Sequence, residues 1–311
     1  MPALKKLITE PLDRFYPTAK AMYMWRMGRA HDAFRKGPIL LLQMGKVGSK
    51  SVQAGLEAIV HDRPIYHSHF LTPERTRITE RQRRKFFRTE RHTYLMRPWL
   101  NEFVVNTFQS NRDDHVWKII TLTREPIGRN ISAFFENLEV EAGSEEGEFL
   151  ISSDYYGIEP TRVTLDDTEK LSKLFFERAP HDSAVQFFDR EIRDIFRIDV
   201  LRSGFSIDRG YDIYKSERVE LLVMRLENLT DIATEACNGF LEIDDFKLIN
   251  QNIGARKLYA PLYDAFKRSV AIDSAYADRL YDSRYMQTFY SAAEITAARE
   301  KWLDRAGATS V

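Results

Sequence analysis

The sequence has almost no cysteine, because Cys237 is the only one in 311 residues. A single cysteine excludes an intramolecular disulfide and a metal site made of several thiolates, and it fits a reducing compartment. No stretch contains the roughly 18 uncharged apolar residues of a membrane-spanning helix. The first residues also lack the apolar run of a signal peptide. We therefore expect a cytoplasmic protein, with the inner face of the membrane as a second place of action.

Net charge is absent as well, since 46 Lys and Arg balance 46 Asp and Glu. Any affinity for anions must then be local, and a uniformly basic nucleic-acid binder is disfavoured. Hydrophobic residues make up 43% of the chain, which supports a core and excludes global disorder. No repeat and no Gly/Ser-rich linker divides the sequence, so we predict one domain over residues 37–311.

Three segments depart from this neutral background. Residues 1–36 predict a basic, amphipathic helical extension that packs on the domain or touches a membrane surface. The segment from Arg75 to Arg91 holds eight basic and two acidic residues, which suits either a solvated surface or a site for an anionic partner. Residues 136–148 hold six glutamates and no basic residue, and we expect them to form an exposed loop.

Short apolar runs predict the central sheet. They start at Ile39, Ile65, Lys118 and Leu221, and helix-like stretches separate them. Nearly continuous hydrophobicity is typical of strands buried on both faces, so the sequence predicts an α/β fold. Its parallel central sheet is expected to be flanked by helices, with a helical C-terminal part.

The first of these strands leads into a glycine loop and a helix. The loop contains Gly45, Lys46, Val47, Gly48, Ser49, Lys50 and Ser51. Glycines let the backbone approach an anion, and the first N–H groups of the helix and its dipole attract phosphate or sulfate. The lysines add charge and the serines add hydroxyl donors. The loop is not a Walker A motif, because the residue after Gly48 is a serine and not a lysine.

A second strand and the helix after it also carry residues that can bind a phosphate. The strand that starts at Lys118 ends at Arg124, Pro126 begins a helix, and Ser132 lies two turns further on. A guanidinium at the end of the strand and a hydroxyl on the helix can grip a second phosphate.

Together, the two elements resemble the sulfotransferases that use 3′-phosphoadenosine 5′-phosphosulfate. In that family the first loop reads roughly Pro-Lys-x-Gly-Thr/Ser-Thr/Ser, and here Gly45 replaces the proline and Lys50 a hydroxyl residue. The family's second motif is an arginine followed eight residues later by a serine, which Arg124 and Ser132 match. The segment 281–295 looks like a bacterial group of capsular polysaccharide synthesis proteins. The resemblance implies a P-loop-like sulfotransferase fold, the sulfate donor as co-substrate, no metal, and a glycan or another hydroxyl acceptor.

A sulfuryl transfer also needs a base, and the segment after the second strand supplies two candidates. His67 and His69 alternate along an extended segment, so both can face the crevice at the carboxyl ends of the strands. An unperturbed histidine takes a proton near neutral pH. A His-x-His at this place resembles the catalytic histidines of glycosaminoglycan 2-O-sulfotransferases. The alternatives are two structural histidines or, less favoured, a zinc site.

Later in the chain, Arg256 and Lys257 lie in a polar, basic loop ahead of a helix. By position in the family they would contact the 3′-phosphate, although exposed bases at a helix start give the same pattern. In the implied mechanism, Lys46 stabilises the leaving phosphate oxygen while His67 or His69 deprotonates the acceptor. Two other functions stay open: an atypical P-loop phosphotransferase with ATP and Mg²⁺, and a non-catalytic polyanion-binding protein that works through the basic segment.

Overall fold

A computed structural model describes residues 15–87, 92–110, 115–250 and 257–303. The strands are β1 Ile39–Leu42, β2 Ile65–Ser68, β3 Trp117–Thr123, β4 Glu139–Ala142, β5 Glu148–Ser153, β6 Ile158–Thr164, β7 Tyr211–Lys215 and β8 Val219–Arg225. The helices that precede β7 are α1 Phe15–Asp32, α2 Ser49–Ile59, α3 Pro73–Arg83, α4 Thr93–Gln109, α5 Pro126–Glu136, α6 Thr168–Arg178, α7 Asp194–Phe196 and α8 Val200–Ser203. The helices that follow β8 are α9 Leu229–Leu241, α10 Ala260–Ser269, α11 Ser274–Tyr281, α12 Arg284–Phe289 and α13 Ala292–Leu303.

The main sheet has the strand order β2-β1-β3-β8-β7. Four of its strands run parallel, and β7 pairs antiparallel with β8 at one edge. All residues of β1 are fully buried, because this strand lies inside the sheet and helices cover its faces. The predicted α/β class is therefore confirmed, and the wholly parallel sheet is corrected to a mixed one. The sequence did not predict the antiparallel edge strand β7, because it is short and polar residues interrupt its apolar ones.

The acidic segment 136–148 is only in part the exposed loop that we expected. Residues 143–147 form a mostly exposed turn, but the first residue of the segment ends α5, and β4 and the start of β5 flank the turn. The two strands pair in a second, antiparallel sheet of order β4-β5-β6. Alternate residues of β5 turn inward, and Ile151 is fully buried in the main core. In β4, Glu139 and Glu141 alternate with Val140 and Ala142, and this acidic composition hid the period of two in the sequence.

Helix α5 holds the second sheet and the C-terminal helices to the core. Its apolar face carries Phe134 and Phe135, which are fully buried. Phe134 contacts Phe175 of α6 at a centroid distance of 5.5 Å, and Phe135 contacts Phe266 of α10 at 5.3 Å. Such aromatic contacts are each worth about 1 kcal/mol beyond the area that they bury. The opposite face of α5 is thereby held against the loop that follows β1.

The N-terminal helix α1 packs on the outside of α3 and α4. Tyr16 lies with Leu95 and Trp99 in a small apolar cluster, and its hydroxyl donates to Glu80 at 2.6 Å. At the other end of α1, His31 Nδ1 lies 3.0 Å from the hydroxyl of Tyr66 on β2. The part of the predicted extension that the structure describes is thus helical and attached to the domain.

Candidate functional site

The loop between β1 and α2 turns sharply at two residues. Gly48, which caps α2, has φ of 87°, and Lys46 has φ of 73°. The left-handed conformation of Gly48 favours glycine, and a Cβ there would lie 2.8 Å from Cδ1 of Leu226, so that side chain would have to move. This turn directs the first N–H groups of α2 toward the carboxyl edge of the sheet, as an anion site requires.

The side chain of Lys46 belongs to a cluster built around one carboxylate. Glu136, the last residue of α5, lies 3.2 Å from Lys46 Nζ, pairs with Lys257 and accepts a hydrogen bond from Tyr259 at 2.8 Å. Burial alone would raise the pKa of Glu136, but hydrogen bonds from Lys257 and Tyr259 and the charge of Lys46 lower it to about 2. The carboxylate is therefore ionised and holds two ammonium groups together.

Burial lowers the pKa of Lys46, and the neighbouring charges of Lys257 and Arg124 lower it further. The Glu136 carboxylate acts in the opposite direction and raises this pKa, but it does not outweigh the other effects. Two ammonium groups thus share one carboxylate, and a third cation, Arg124, lies close enough to act on Lys46. An excess of positive charge that is partly removed from water favours the binding of an anion.

Arg124 connects the two motifs that the sequence singled out. Its Nη1 donates to the backbone carbonyl of Lys46 at 2.8 Å. The hydroxyl of Tyr285, on α12, accepts from the backbone N–H of Arg124 at 3.0 Å and donates to its carbonyl at 2.9 Å. Arg124 is therefore fixed at the carboxyl end of β3, beside the glycine loop. The sequence predicted this neighbourhood, but it gave no sign of the role of Tyr285.

Arg129 was missed in the sequence, although it is the most buried cation of the site. It is only 8% exposed, its Nε donates to the carbonyl of Gly45 at 3.1 Å, and its Nη1 donates to Ser183 at 2.6 Å. It forms no ion pair with any described residue, and burial lowers its pKa to about 10. The available signal was an arginine in a helix whose other residues are mostly apolar, where a charge is costly unless something compensates it.

Ser132 lies on the face of α5 that is turned toward the loop. It is half-buried and stands three residues after Arg129 and four before Glu136, both of which contact the loop region. Residues three and four apart share a face of a helix. Ser132 therefore lies on the helix face that carries Arg129 and Glu136, and its contact with a phosphate stays a prediction.

His67 and His69 lie where the alternation predicted. Strand β2 pairs parallel with β1, and the two imidazole centroids are 5.0 Å apart. Gln43, the residue after β1, contacts both: its side-chain amide donates to His67 Nε2 at 2.8 Å, and its carbonyl accepts from His69 Nδ1 at 3.2 Å. The Nε2 of His67 is therefore occupied as an acceptor. The Nε2 of His69 keeps its lone pair free of any partner among the described residues.

Both imidazoles are neutral at physiological pH. Burial lowers the pKa of His67 to about 3 and that of His69 to about 4, and the positive charge of Arg97 adds to both effects. Arg97 lies on α4, outside the predicted motifs. Within the described ranges, no three His, Cys, Asp or Glu side chains gather in an arrangement that would hold a metal ion.

The remaining predicted site residues differ in how far their side chains are buried. Val47 and Ser49 are buried, so Val47 can meet a ligand only through its backbone. Lys50 is exposed on the first turn of α2, and its charge helps to lower the pKa of His67. Ser51 donates its backbone N–H to the carbonyl of Gly48 at 3.1 Å. Lys257 joins the Lys46 cluster, whereas Arg256 lies outside the described residues.

The basic segment forms α3 and a short 3₁₀ turn, and its cations point to different neighbours. Arg84 stacks on Tyr16, Lys85 pairs with Asp154, and Arg75 stacks on Phe70. Arg88 and Arg91 lie outside the described residues. Of the cations that are described, Arg75 lines the clefts beside Arg129.

Helix α1 exposes an apolar stripe. Phe15, Met22 and Trp25 are 61%, 66% and 66% exposed and lie on one face, and Arg29 stacks on Trp25. Among the helices that the structure describes, none is both long and apolar enough to cross a bilayer.

Comparison with known families gives one match. Residues 161–291 match a family described as "putative capsular polysaccharide synthesis protein". No curated protein and no solved structure matches the chain. The match covers less than half of the sequence and includes Lys257, Tyr259 and Tyr285 of the site. The glycine loop, the histidine pair and Arg124 lie before it, so their likeness to sulfotransferases stays a prediction. Over its second half the chain is similar to capsular polysaccharide synthesis proteins.

Proposed function

We propose that the protein transfers a sulfuryl group from 3′-phosphoadenosine 5′-phosphosulfate to a hydroxyl of a cell-surface or capsular glycan, or of its lipid-linked precursor. The observation that carries this proposal is the hydrogen bond from Arg124 to the carbonyl of Lys46, because it joins two anion-binding motifs into one site. Two neutral imidazoles lie at the neighbouring strand end. The family match over residues 161–291 supports a glycan as acceptor.

Different residues would bind the two phosphate-bearing ends of the donor. The loop 45–51 would hold the 5′-phosphosulfate through Lys46 and the first N–H groups of α2. Arg124 and Ser132 would hold the 3′-phosphate, with Lys257 closing the cluster from the opposite side. Glu136 bridges Lys46 and Lys257, so the carboxylate keeps both ammonium groups in place when no anion is bound.

The chemistry follows from this placement. The acceptor oxygen forms a bond to sulfur while the bond between sulfur and the 5′-phosphate oxygen breaks, and the hydroxyl proton moves to His69 Nε2. His69 is the better base, because its Nδ1 donates to Gln43 and leaves Nε2 open, whereas Nε2 of His67 accepts from the Gln43 amide. Lys46 neutralises charge on the leaving phosphate. Positioning and electrostatics therefore supply most of the catalysis.

Substrate binding would also strengthen the base. Burial and the charges of Arg97, Arg129 and Arg75 lower the pKa of His69 to about 4, at which an imidazole accepts protons poorly. Anions bound beside these guanidinium groups would cancel part of this effect and raise the pKa. Proton transfer would then be efficient only when donor and acceptor are in place.

A phosphotransferase that uses ATP and Mg²⁺ is less well supported. Such enzymes place an aspartate at the end of a strand beside the loop to hold the metal. Here β3 is followed by Arg124, and β8 ends in Arg225, which pairs with Glu294. A polyanion-binding function through the basic segment is also less favoured, since the described cations of that segment point in different directions.

Titration calorimetry with 3′-phosphoadenosine 5′-phosphate tests the proposal. The wild-type protein is expected to bind it, and Lys46→Ala to weaken binding by about tenfold or more, because a partly buried charge contact is lost. Lys36→Ala is the matched control, since Lys36 is exposed and lies before β1. No binding by the wild type, or equal binding by Lys46→Ala, would overturn the proposal.

We also propose that α1 contacts an anionic membrane surface, where a lipid-linked acceptor would be presented. The exposed stripe of Phe15, Met22 and Trp25 is bordered by Arg26 and Arg29, which are exposed as well. Apolar side chains beside cations are the composition of helices that lie in the interface of a bilayer.

Vesicle flotation tests the membrane contact. Vesicles with one third phosphatidylserine are expected to carry the protein with them, and pure phosphatidylcholine vesicles to leave it in solution. The double variant Met22→Ser, Trp25→Ser should abolish flotation without changing the melting temperature, because both side chains are exposed. Equal flotation of wild type and variant would contradict the contact.

A further inference from the structure

Two adjoining cavities lie beside Arg75. The inner one has a volume of about 30 Å³ and is lined by Arg75, Arg129, Asn130 and Asn137, among others. The outer cleft has a volume of about 330 Å³ and is lined by Gln186 and Arg190, among others. Both are also lined by Arg75, Tyr155, Pro180 and Ser183, so the two cavities adjoin and share a wall. The outer cleft has the size of a small-molecule site.

The charge that lines this space is positive and only partly compensated. Arg129 is buried and has no ion-pair partner in the part of the chain that the structure describes. Arg190 is exposed to the cleft and likewise pairs with no described carboxylate. A buried, unpaired guanidinium is costly, and a bound anion would relieve that cost.

The two carboxylates of the lining are already engaged. Glu191 is 3% exposed and accepts from the backbone N–H groups of Leu71 and Thr72 at 2.6 and 2.9 Å and from the Thr72 hydroxyl at 2.7 Å. It lies 3.9 Å from Arg75. Asp182 lies 3.5 Å from Arg279. Neither carboxylate forms an ion pair with Arg129 or Arg190 in the described part of the chain.

The outer cleft also offers an aromatic face. Tyr155, in the turn between β5 and β6, is 49% exposed and stands edge-on to Tyr156 at a centroid distance of 4.8 Å. A ring of this kind packs against the C–H face of a sugar, while Gln186 and Ser183 provide polar groups for its hydroxyls. The lining therefore combines cations, an aromatic face and neutral hydrogen-bonding groups.

Arg129 connects the lining of this space with the glycine loop. This side chain contacts Gly45 of the loop on one side and Ser183 of the cleft on the other. The charges of Arg75 and Arg129 also act on His69. A ligand in the cleft would thus contact a side chain that also contacts the glycine loop.

We propose that this space binds an acidic sugar, a uronic-acid unit of the glycan acceptor. The carboxylate would lie in the inner cavity between Arg75 and Arg129, and the ring would pack on Tyr155 beside Arg190. The inner cavity has room for a carboxylate but not for a sugar ring, and paired guanidinium groups match the planar geometry of a carboxylate. The identification of the ligand as the acceptor rests on the proposed sulfotransferase function.

Calorimetry with trigalacturonic acid and with neutral maltotriose tests the inference. The wild-type protein is expected to bind the acidic trisaccharide at least about tenfold more tightly than the neutral one. Arg75→Gln and Arg190→Gln should each reduce this affinity by about tenfold, because each removes one guanidinium from the cleft. Arg202→Gln is the matched control, since Arg202 is exposed on α8 and lines neither cavity.

The same samples separate this inference from the proposed function. Arg190→Gln should keep the wild-type affinity for 3′-phosphoadenosine 5′-phosphate, and Lys46→Ala should keep that for trigalacturonic acid. Equal affinity for both trisaccharides, or wild-type affinity in both cleft variants, would overturn the acidic-sugar site. Nucleotide binding without trigalacturonate binding would overturn the inference alone. Trigalacturonate binding without nucleotide binding would overturn the sulfotransferase and leave an acidic-sugar site.

Discussion

Arg124 Nη1 lies 2.8 Å from the backbone carbonyl oxygen of Lys46 and donates a hydrogen bond to it. These residues are far apart in the sequence, at the ends of β3 and β1, and the parallel register of those strands brings them to one edge. The bond fixes the strained backbone of Lys46 while the guanidinium stays beside the loop. The site therefore depends on the sheet topology as much as on its motifs.

Substitution by alanine should destabilise the protein at Gly48 but not at Gly45. A Cβ at Gly48 meets Leu226 at 2.8 Å in a left-handed conformation, whereas a Cβ at Gly45 meets nothing within 4 Å. We expect Gly48→Ala to lower the free energy of unfolding by about 1 to 3 kcal/mol, and Gly45→Ala to leave it nearly unchanged. Urea unfolding of both variants measures this, and equal losses would contradict the assigned loop geometry.

The two histidines should differ in their effect on turnover. Because His69 Nε2 is open and His67 Nε2 is occupied, His69→Gln should lower the rate by about 100-fold or more, and His67→Gln by much less. The rate is measured as nucleotide release from the sulfate donor, with trigalacturonic acid as acceptor. His61→Gln, an exposed site, is the control. A larger loss in His67→Gln would move the base to His67.

The Glu136 carboxylate should oppose anion binding, although it holds Lys46 and Lys257 in place. Its carboxylate pairs with both Lys46 and Lys257, so Glu136→Gln removes one negative charge from the place where the donor would bind. We expect affinity for 3′-phosphoadenosine 5′-phosphate to rise about threefold or more. Glu141→Gln, on the exposed side of β4, should leave the affinity unchanged. Weaker binding by Glu136→Gln would show that the carboxylate positions the lysines for the nucleotide.

The buried histidines should make stability depend on pH. Burial lowers the pKa of His67 to about 3, whereas an unfolded histidine has a pKa of about 6.5. The unfolded chain then binds more protons between these values, so the stabilisation is complete above about pH 6.5 and is lost as pH falls.

For His67 alone, the free energy of unfolding should fall by about 1 to 2 kcal/mol between pH 7 and pH 5. His67→Gln removes this contribution, so its loss of stability between those pH values should be smaller than that of the wild type. Urea unfolding at both pH values gives the comparison. Parallel pH profiles of wild type and variant would show that the histidine is not buried as described.

The sequence predicted most of the strand ends that form the site. Continuous apolar runs marked the interior strands, and the glycines, Arg124 and the alternating histidines followed them directly. It could not predict the partners from other elements. The packing of α5 brings Arg129 and Glu136 to the loop, and that of α12 brings Tyr285 to Arg124, and the spacing of these residues carries no motif.

The second sheet was missed for a related reason. In β4 and β6, several outward positions carry glutamate or another polar residue, so the local composition looks like a loop. The inward residues, among them Val163, take their role from contact with the core behind α5. Pairing between strands, and not propensity along the chain, decides such elements.

The central claim is that one site, joined by Arg124 and Lys46, binds a 3′-phosphorylated adenine nucleotide. Its most direct test is calorimetry of the wild-type protein with 3′-phosphoadenosine 5′-phosphate, with adenosine 5′-phosphate, and with ATP and Mg²⁺. The account predicts that the first binds at least about tenfold more tightly than the second, because only it carries the phosphate for Arg124 and Ser132, and more tightly than ATP. Equal affinity for 3′-phosphoadenosine 5′-phosphate and adenosine 5′-phosphate, or preference for ATP with Mg²⁺, would contradict it.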